Sequence, residues 1–203
     1  MTLPRRAVVA LVLAAGSASR FGANKLLQPV GDVPLLKRAL LAADSAYNGR
    51  VVLVTGKDAS RVADAAAGLA DRIIRNPDYE AGIGTSIVAG VRACRADSDA
   101  IVVMLADQPL ITADHLHALE DEWGGRPGSI VASAYAGTNG PPALFGSDHF
   151  DALSELSGDR GAKAILEANA QAVVTVAFEP ASIDIDTPSD LAAVASRLSR
   201  SQK

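Results

Sequence analysis

Two aspartates, an arginine and a lysine are the side chains of this sequence best placed to do chemistry. Asp107 closes the most apolar run of the chain, Ala100–Ala106, and Gln108-Pro109 turns the backbone away directly after it. Asp186 likewise closes a short apolar segment. Mg²⁺ takes hard oxygen ligands, typically one or two carboxylates with ligand phosphates and waters completing its shell. Asp107 and Asp186 are therefore candidate metal ligands, although each also reads as a strand-end cap, where aspartate is favoured. Arg20 and Lys25 stand in the run Leu13-Ala14-Ala15-Gly16-Ser17-Ala18-Ser19-Arg20-Phe21-Gly22-Ala23-Asn24-Lys25. Small residues there leave backbone N–H groups uncovered, so a triphosphate can approach them while the two cations supply countercharge. The competing reading is an ordinary strand-to-helix turn. The combination fits transfer at a phosphorus atom. A phosphate monoester is largely ionised near pH 7, its second pKa being about 6, so an acceptor of that kind needs alignment and charge neutralisation rather than a general base.

These side chains lie far apart in sequence and need a scaffold to bring them together. Strand-like apolar runs recur at Ala7–Leu13, Arg50–Val54, Arg72–Arg75, Ala100–Leu105, Ser129–Ala134 and Ala172–Phe178. Between most of them lie helix-like stretches with apolar residues three and four apart, at Leu35–Ser45, Ala59–Leu69, Ser86–Arg95, Ala113–Trp123, Asp148–Leu156 and Ala162–Ala168. Thr187-Pro188-Ser189-Asp190 supplies a hydroxyl N-cap, an early proline and an acidic residue before a last helix, Leu191–Leu198. Alternating strands and helices, with several strands continuously Val/Ile/Leu, predict an α/β fold: a three-layer α/β/α sandwich around a mostly parallel sheet. Ligands of such sheets sit beyond the carboxyl ends of the strands. The loops to read are therefore Ala14–Lys25, Thr55-Gly56, Asn76–Ser86, Ala106–Pro109 and Asp184–Thr187.

Composition narrows the partners. With 203 residues, 49% hydrophobic and 21% charged, the chain can bury a full central sheet. A formal charge of −4 and a pI near 5.3 argue against nucleic acid or an anionic membrane surface as partner. No apolar run approaches the ~20 residues of a membrane span, and Cys94 is the only cysteine, so the cytoplasm is the expected compartment. The basic start and short apolar run imitate a secretory signal, but cleavage there would remove the first strand. The first loop lacks the three-glycine dinucleotide fingerprint and the GxxxxGK[ST] phosphate loop, which disfavours hydride transfer and P-loop chemistry. His115 and His117 lie two apart on different faces of one helix and cannot jointly ligate a metal. Arg160 and Lys163 flank Gly161 at a helix start and face either an acidic acceptor or solvent.

Five motifs follow in order: Leu13-Ala-Ala-Gly-Ser-Ala-Ser-Arg-Phe-Gly-x-x-Lys25, Asn76 through Gly82-x-Gly84-x-Ser86, Ala106-Asp-Gln-Pro-Leu110, Gly158-Asp-Arg-Gly-Ala162, and Asp184-Ile-Asp-Thr-Pro-x-Asp190. Over nearly the whole chain they resemble the molybdenum cofactor cytidylyltransferases, within the wider nucleotidyltransferases of GT-A-like α/β fold. The resemblance implies one nucleotidyltransferase domain over residues 1–203. It implies that Ala14, Ala15 and Gly16 line the nucleotide, that Arg20 and Lys25 hold the triphosphate, that Asn76 and Ser86 help frame base and ribose, and that Asp107 and Asp186 bind Mg²⁺. Alanine at position 15, where guanylyl-transferring relatives typically carry glycine, favours CTP over GTP. The implied acceptor is molybdopterin or its molybdenum-loaded form, with a molybdoenzyme as a possible downstream partner. Only Gln108 and the Gly158–Ala162 segment lean toward that branch. Two positions depart from the pattern: Ala18 stands where many relatives have serine, and Gly140-Pro141-Pro142 where many have Gly-His-Pro. Other readings of the same cleft are a different donor nucleotide or phosphorylated acceptor, and a non-catalytic carrier of the finished cofactor.

Overall fold

The computed structural model describes residues 7–16 and 24–201. Its strands are β1 (Val8–Ala14), β2 (Pro29–Val30), β3 (Val33–Pro34), β4 (Val51–Thr55), β5 (Arg72–Arg75), β6 (Ala100–Leu105), β7 (Ile130–Tyr135), β8 (Thr138–Gly146) and β9 (Val173–Ala177). Its helices are α1 (Leu35–Tyr47), α2 (Ala59–Ala65), α3 (Ile83–Cys94), α4 (Ala113–Trp123), α5 (Phe150–Ser154), α6 (Lys163–Ala168) and α7 (Pro188–Ser201). Seven strands form one sheet in the order β5-β4-β1-β6-β8-β7-β9, while β2 and β3 pair separately. β8 runs against β6 and β7; every other pairing in the large sheet is parallel.

β1 is buried along its whole length because it is covered on both faces. Val8, Ala10, Val12 and Ala14 enter one core with residues of α1, α2, α4 and α7, and Val9, Leu11 and Leu13 enter the other with residues of α3, α5 and α6. Alternate side chains of a strand point to opposite faces, so a continuous apolar run is what two covered faces demand. The contact with α3 is close. A Cβ on Gly90 would come within 2.1 Å of Leu11 Cδ1, so a side chain there would have to displace Leu11 in the packed core or move the helix.

The expected α/β sandwich is present, with differences at element ends, one extra strand in the large sheet and the separate β2–β3 pair. α2 stops at Ala65 rather than reaching Leu69, and the chain turns through Gly68 at φ +80°. α3 begins three residues before Ser86. The stretch 148–156 is a 3-10 turn, Ser147–His149, followed by the short α5. β8 is unexpected because Gly140-Pro141-Pro142 reads as a break. In the ladder Ala132 pairs with Ala143 but Ser133 with Gly140, which drops both prolines into a bulge where no ladder N–H is required.

Beside that bulge, His115 is buried and stacks on Phe178 with ring centroids 3.9 Å apart. Ser133 Oγ donates to Pro142 O at 2.7 Å, so its contact with His115 Nε2 at 2.7 Å must be one in which the imidazole donates. Burial lowers the His115 pKa to about 4. The folded protein thus keeps this ring neutral, whereas the unfolded chain protonates it below about 6.5. Stability from this residue is complete above pH 6.5 and is lost as pH falls toward 4, by about 3 kcal/mol. Urea unfolding across that range should show a steeper acid loss for the wild type than for His115→Gln; parallel profiles would refute the assignment.

Candidate active site

Lys25 opens a 3-10 turn, Lys25–Leu27, whose Leu26 is buried in the core and whose first amide is capped by Asn24, Leu26 N donating to Asn24 Oδ1 at 3.1 Å. With Leu26 anchored inward, Lys25 reaches across the sheet end. Its Nζ donates to Asp107 Oδ2 at 2.9 Å and to Asp186 Oδ1 at 2.8 Å. Two carboxylates separated by 79 positions thus share one cation, and their contacting oxygens lie within two hydrogen-bond lengths of each other.

The backbone holds the pair in place. Asp107 follows β6, and its carbonyl accepts from Ile185 N at 3.1 Å, tying the 184–187 segment to the strand end, with Ile185 fully buried as the anchor. Asp186 N and Thr187 N both donate to Asp190 Oδ2, at 3.1 and 2.7 Å, and Asp190 N donates to Thr187 Oγ1 at 3.3 Å. This reciprocal box is the one expected at the start of α7. Gln108, buried, donates from Nε2 to Pro141 O at 3.1 Å and Ala181 O at 2.7 Å, joining β6 to the bulge of β8.

Electrostatics mark the site as one that demands positive charge. Burial works against the Lys25 ammonium, yet the field of Asp107 and hydrogen bonds to both aspartates outweigh it and raise its pKa. Asp184 at the rim has its pKa raised by partial desolvation and then by the fields of Asp107 and Asp186. Asp107 Oδ1 is buried and has no hydrogen-bond partner. An unpartnered carboxylate oxygen beside a second aspartate is a donor set suited to a divalent cation that takes its remaining ligands from phosphates and water. Among the described residues no group of three or more His, Cys, Asp or Glu side chains forms a complete metal cage.

A cavity of about 340 Å³ opens beside Asp107, lined by Leu13, Ala15, Gly16, Tyr79, Glu80, Ser86 and Asp159 among others. Ala15 and Gly16 lie in its wall, while Ala14 faces the core. Ser86 lines it, but Asn76 is buried with its amide engaged internally: Nδ2 donates to Thr85 Oγ1 and Ser86 Oγ, each at 2.9 Å, and Oδ1 accepts from Asp78 N at 3.0 Å. Asn76 therefore orients Ser86 and the 76–86 loop. Arg20 lies outside the described residues. The loop is held by the second glycine motif. Gly84 N donates to Gly158 O at 3.0 Å, and a Cβ on Gly82, at φ +108°, would lie 2.3 Å from Gly158 C, so only glycine fits.

A second cavity of about 170 Å³ adjoins the first, sharing Leu13, Ile83, Leu105 and Asp159 and adding Pro141, Arg160, Lys163 and Leu166. The 158–162 motif and the Pro141 departure meet there, a juxtaposition that their spacing does not disclose. The histidines lie elsewhere, His117 Nε2 against Ala46 O at 3.1 Å and His149 Nε2 against Gly128 O at 3.0 Å.

A mostly parallel sheet that converges a small-residue loop, a lysine and two carboxylates beyond its strand ends belongs to a nucleotidyltransferase. The chain is a member of the MobA-like NTP transferase domain family, which it matches over residues 10–173. It is 31% identical over 194 residues to the purine catabolism protein PucB of Bacillus subtilis, covering 90% of this chain and 93% of that protein. It is 30% identical to the nicotine blue oxidoreductase of Paenarthrobacter nicotinovorans, covering 89% and 92%. Among solved structures it is similar to Rv0371c of Mycobacterium tuberculosis, with TM-score 0.80, 26% identity and coverage of 96% of this chain and 100% of that one. A complex of Rv0371c with manganese superposes with TM-score 0.76 at 27% identity, covering 94% and 98%. The nucleotidyltransferase fold expected from the sequence, and membership of the MobA-like NTP transferase domain family, are thereby established.

Proposed function

We propose that the protein transfers CMP from CTP to the terminal phosphate of molybdopterin or its molybdenum-loaded form, releasing pyrophosphate, with residues 1–203 acting as one domain. The observation that carries the reading is the convergence of Asp107 and Asp186 on a single cationic position. Those two carboxylates would hold Mg²⁺, which when bound would neutralise phosphate charge and draw donor and acceptor together. The manganese complex of a similar protein supports a divalent ion in this setting. Backbone amides at Ala15 and Gly16 would receive the nucleotide, and Ser86 would contact it from the opposite wall. Arg20 and Lys25 would offset charge growing on the departing pyrophosphate. Because the wall also carries Glu80, Asp107 and Asp159, a polyanion needs those cations to enter. Ala15 supports CTP, by its resemblance to cytidylyl-transferring relatives. The adjoining cavity, apolar along Ile83, Ile87 and Leu166 with Arg160 and Lys163 also in its lining, suits a ring-bearing anionic acceptor.

The test is pyrophosphate release from each nucleoside triphosphate with Mg²⁺ across a panel of phosphorylated acceptors including molybdopterin. CTP should be the preferred donor, by about tenfold or more over GTP. Preference for GTP would overturn the donor, and no release with any nucleotide would favour a carrier of the finished cofactor.

A further inference from the structure

The Lys25 ammonium and a divalent ion make claims on the same lone pairs. Nζ donates at 2.9 and 2.8 Å to one oxygen of each aspartate, and its charge relieves the repulsion among Asp107, Asp186 and the neighbouring Asp184. Asp107 retains a second oxygen, Oδ1, buried and without a hydrogen-bond partner. An ammonium and a dication on one carboxylate pair repel each other, the more so where water is thinned: the side chains of Lys25 and Asp107 are only 15% and 23% exposed.

We propose that Lys25 is a built-in competitor of the divalent ion: it neutralises the Asp107–Asp186 pair until metal arrives, and is then displaced onto the phosphates of the incoming nucleotide. The two ligands are thereby coupled through one side chain. Metal alone must evict an ammonium that then has no phosphate to meet. Metal arriving with a nucleotide evicts it onto a new partner. Coupling is reciprocal, so each ligand tightens the other by the same factor. The consequence is an ordered site that charges with metal and nucleotide together and resists free metal. Lys25 thus has two roles of opposite sign, opposing metal in the absence of nucleotide and assisting transfer in its presence. This rests on the reading of Asp107 and Asp186 as metal ligands.

The experiment is Mn²⁺ binding followed by the electron paramagnetic resonance signal of the free ion, with and without CTP and with no acceptor present. Lys25→Met should bind Mn²⁺ about tenfold more tightly than wild type when no nucleotide is added, and CTP should then tighten Mn²⁺ binding less than it does in the wild type. Lys25→Gln, which can still hydrogen-bond a carboxylate without charge, should behave like Lys25→Met, whereas Lys25→Arg should stay near wild type. The two neutral variants give independent chances of a folded protein, checked by thermal unfolding. Mn²⁺ affinity unchanged or weakened in both neutral variants overturns the competition. Asp107→Asn and Asp186→Asn should each lose Mn²⁺ binding; if they retain it, the metal assignment itself fails, which is a separate result.

Discussion

Asp107→Asn should lower metal-dependent pyrophosphate release by about 10³-fold, a loss of about 4 kcal/mol of transition-state stabilisation. The substitution keeps the size of the side chain and removes its charge. It leaves the fold intact, because the link between β6 and the 184–187 segment is made by the main chain, Ile185 N to Asp107 O at 3.1 Å. What it removes is a carboxylate with one oxygen on Lys25 and the other buried without a partner. Purified variant and wild type should unfold at similar temperatures while their turnover differs. A variant within tenfold of wild type would mean that Asp107 is a strand-end residue balancing Lys25 and nothing more.

Lys25→Met should lower kcat by 10²–10³-fold, the range lost when one preorganised electrostatic donor is removed. The cause is loss of a cation that offsets charge on the leaving pyrophosphate. It is not loss of metal, since the same substitution is expected to tighten metal binding. That opposition makes the result diagnostic: raising the Mg²⁺ concentration should not rescue Lys25→Met. Rescue by excess Mg²⁺, measured as recovery of kcat over a metal titration, would place Lys25 in support of the metal and contradict the account.

Much of the scaffold was readable because burial on two faces leaves an unbroken apolar run, as in Val8–Leu13 and Ala100–Leu105, and because the loops that matter follow those runs. β8 was hidden because local chemistry said otherwise: Pro141 and Pro142 break a ladder, and only the bulge opposite Ala132 and Ser133 lets the strand continue. α2 ends early at a glycine whose left-handed conformation the periodicity of its alanines does not reveal. In the site, Asp107 and Asp186 stand out in sequence because each closes an apolar run, and the structure brings both onto Lys25. The role of Asn76 was not, because its three hydrogen bonds are made to its own loop. Nor was the Lys25 bridge, since its partners lie 82 and 161 positions away and a lysine after a small-residue loop reads first as a phosphate ligand. Sequence spacing reports local geometry, while the choice of ion-pair partner is made by the whole fold.

The most direct measurement is a crystal structure of the protein with Mg²⁺ and a non-hydrolysable CTP analogue. One Mg²⁺ should lie about 2.0–2.1 Å from a carboxylate oxygen of both Asp107 and Asp186, with Lys25 Nζ moved off the pair onto a phosphate. An ion held by phosphates alone, with Lys25 still bridging the two aspartates, would contradict it.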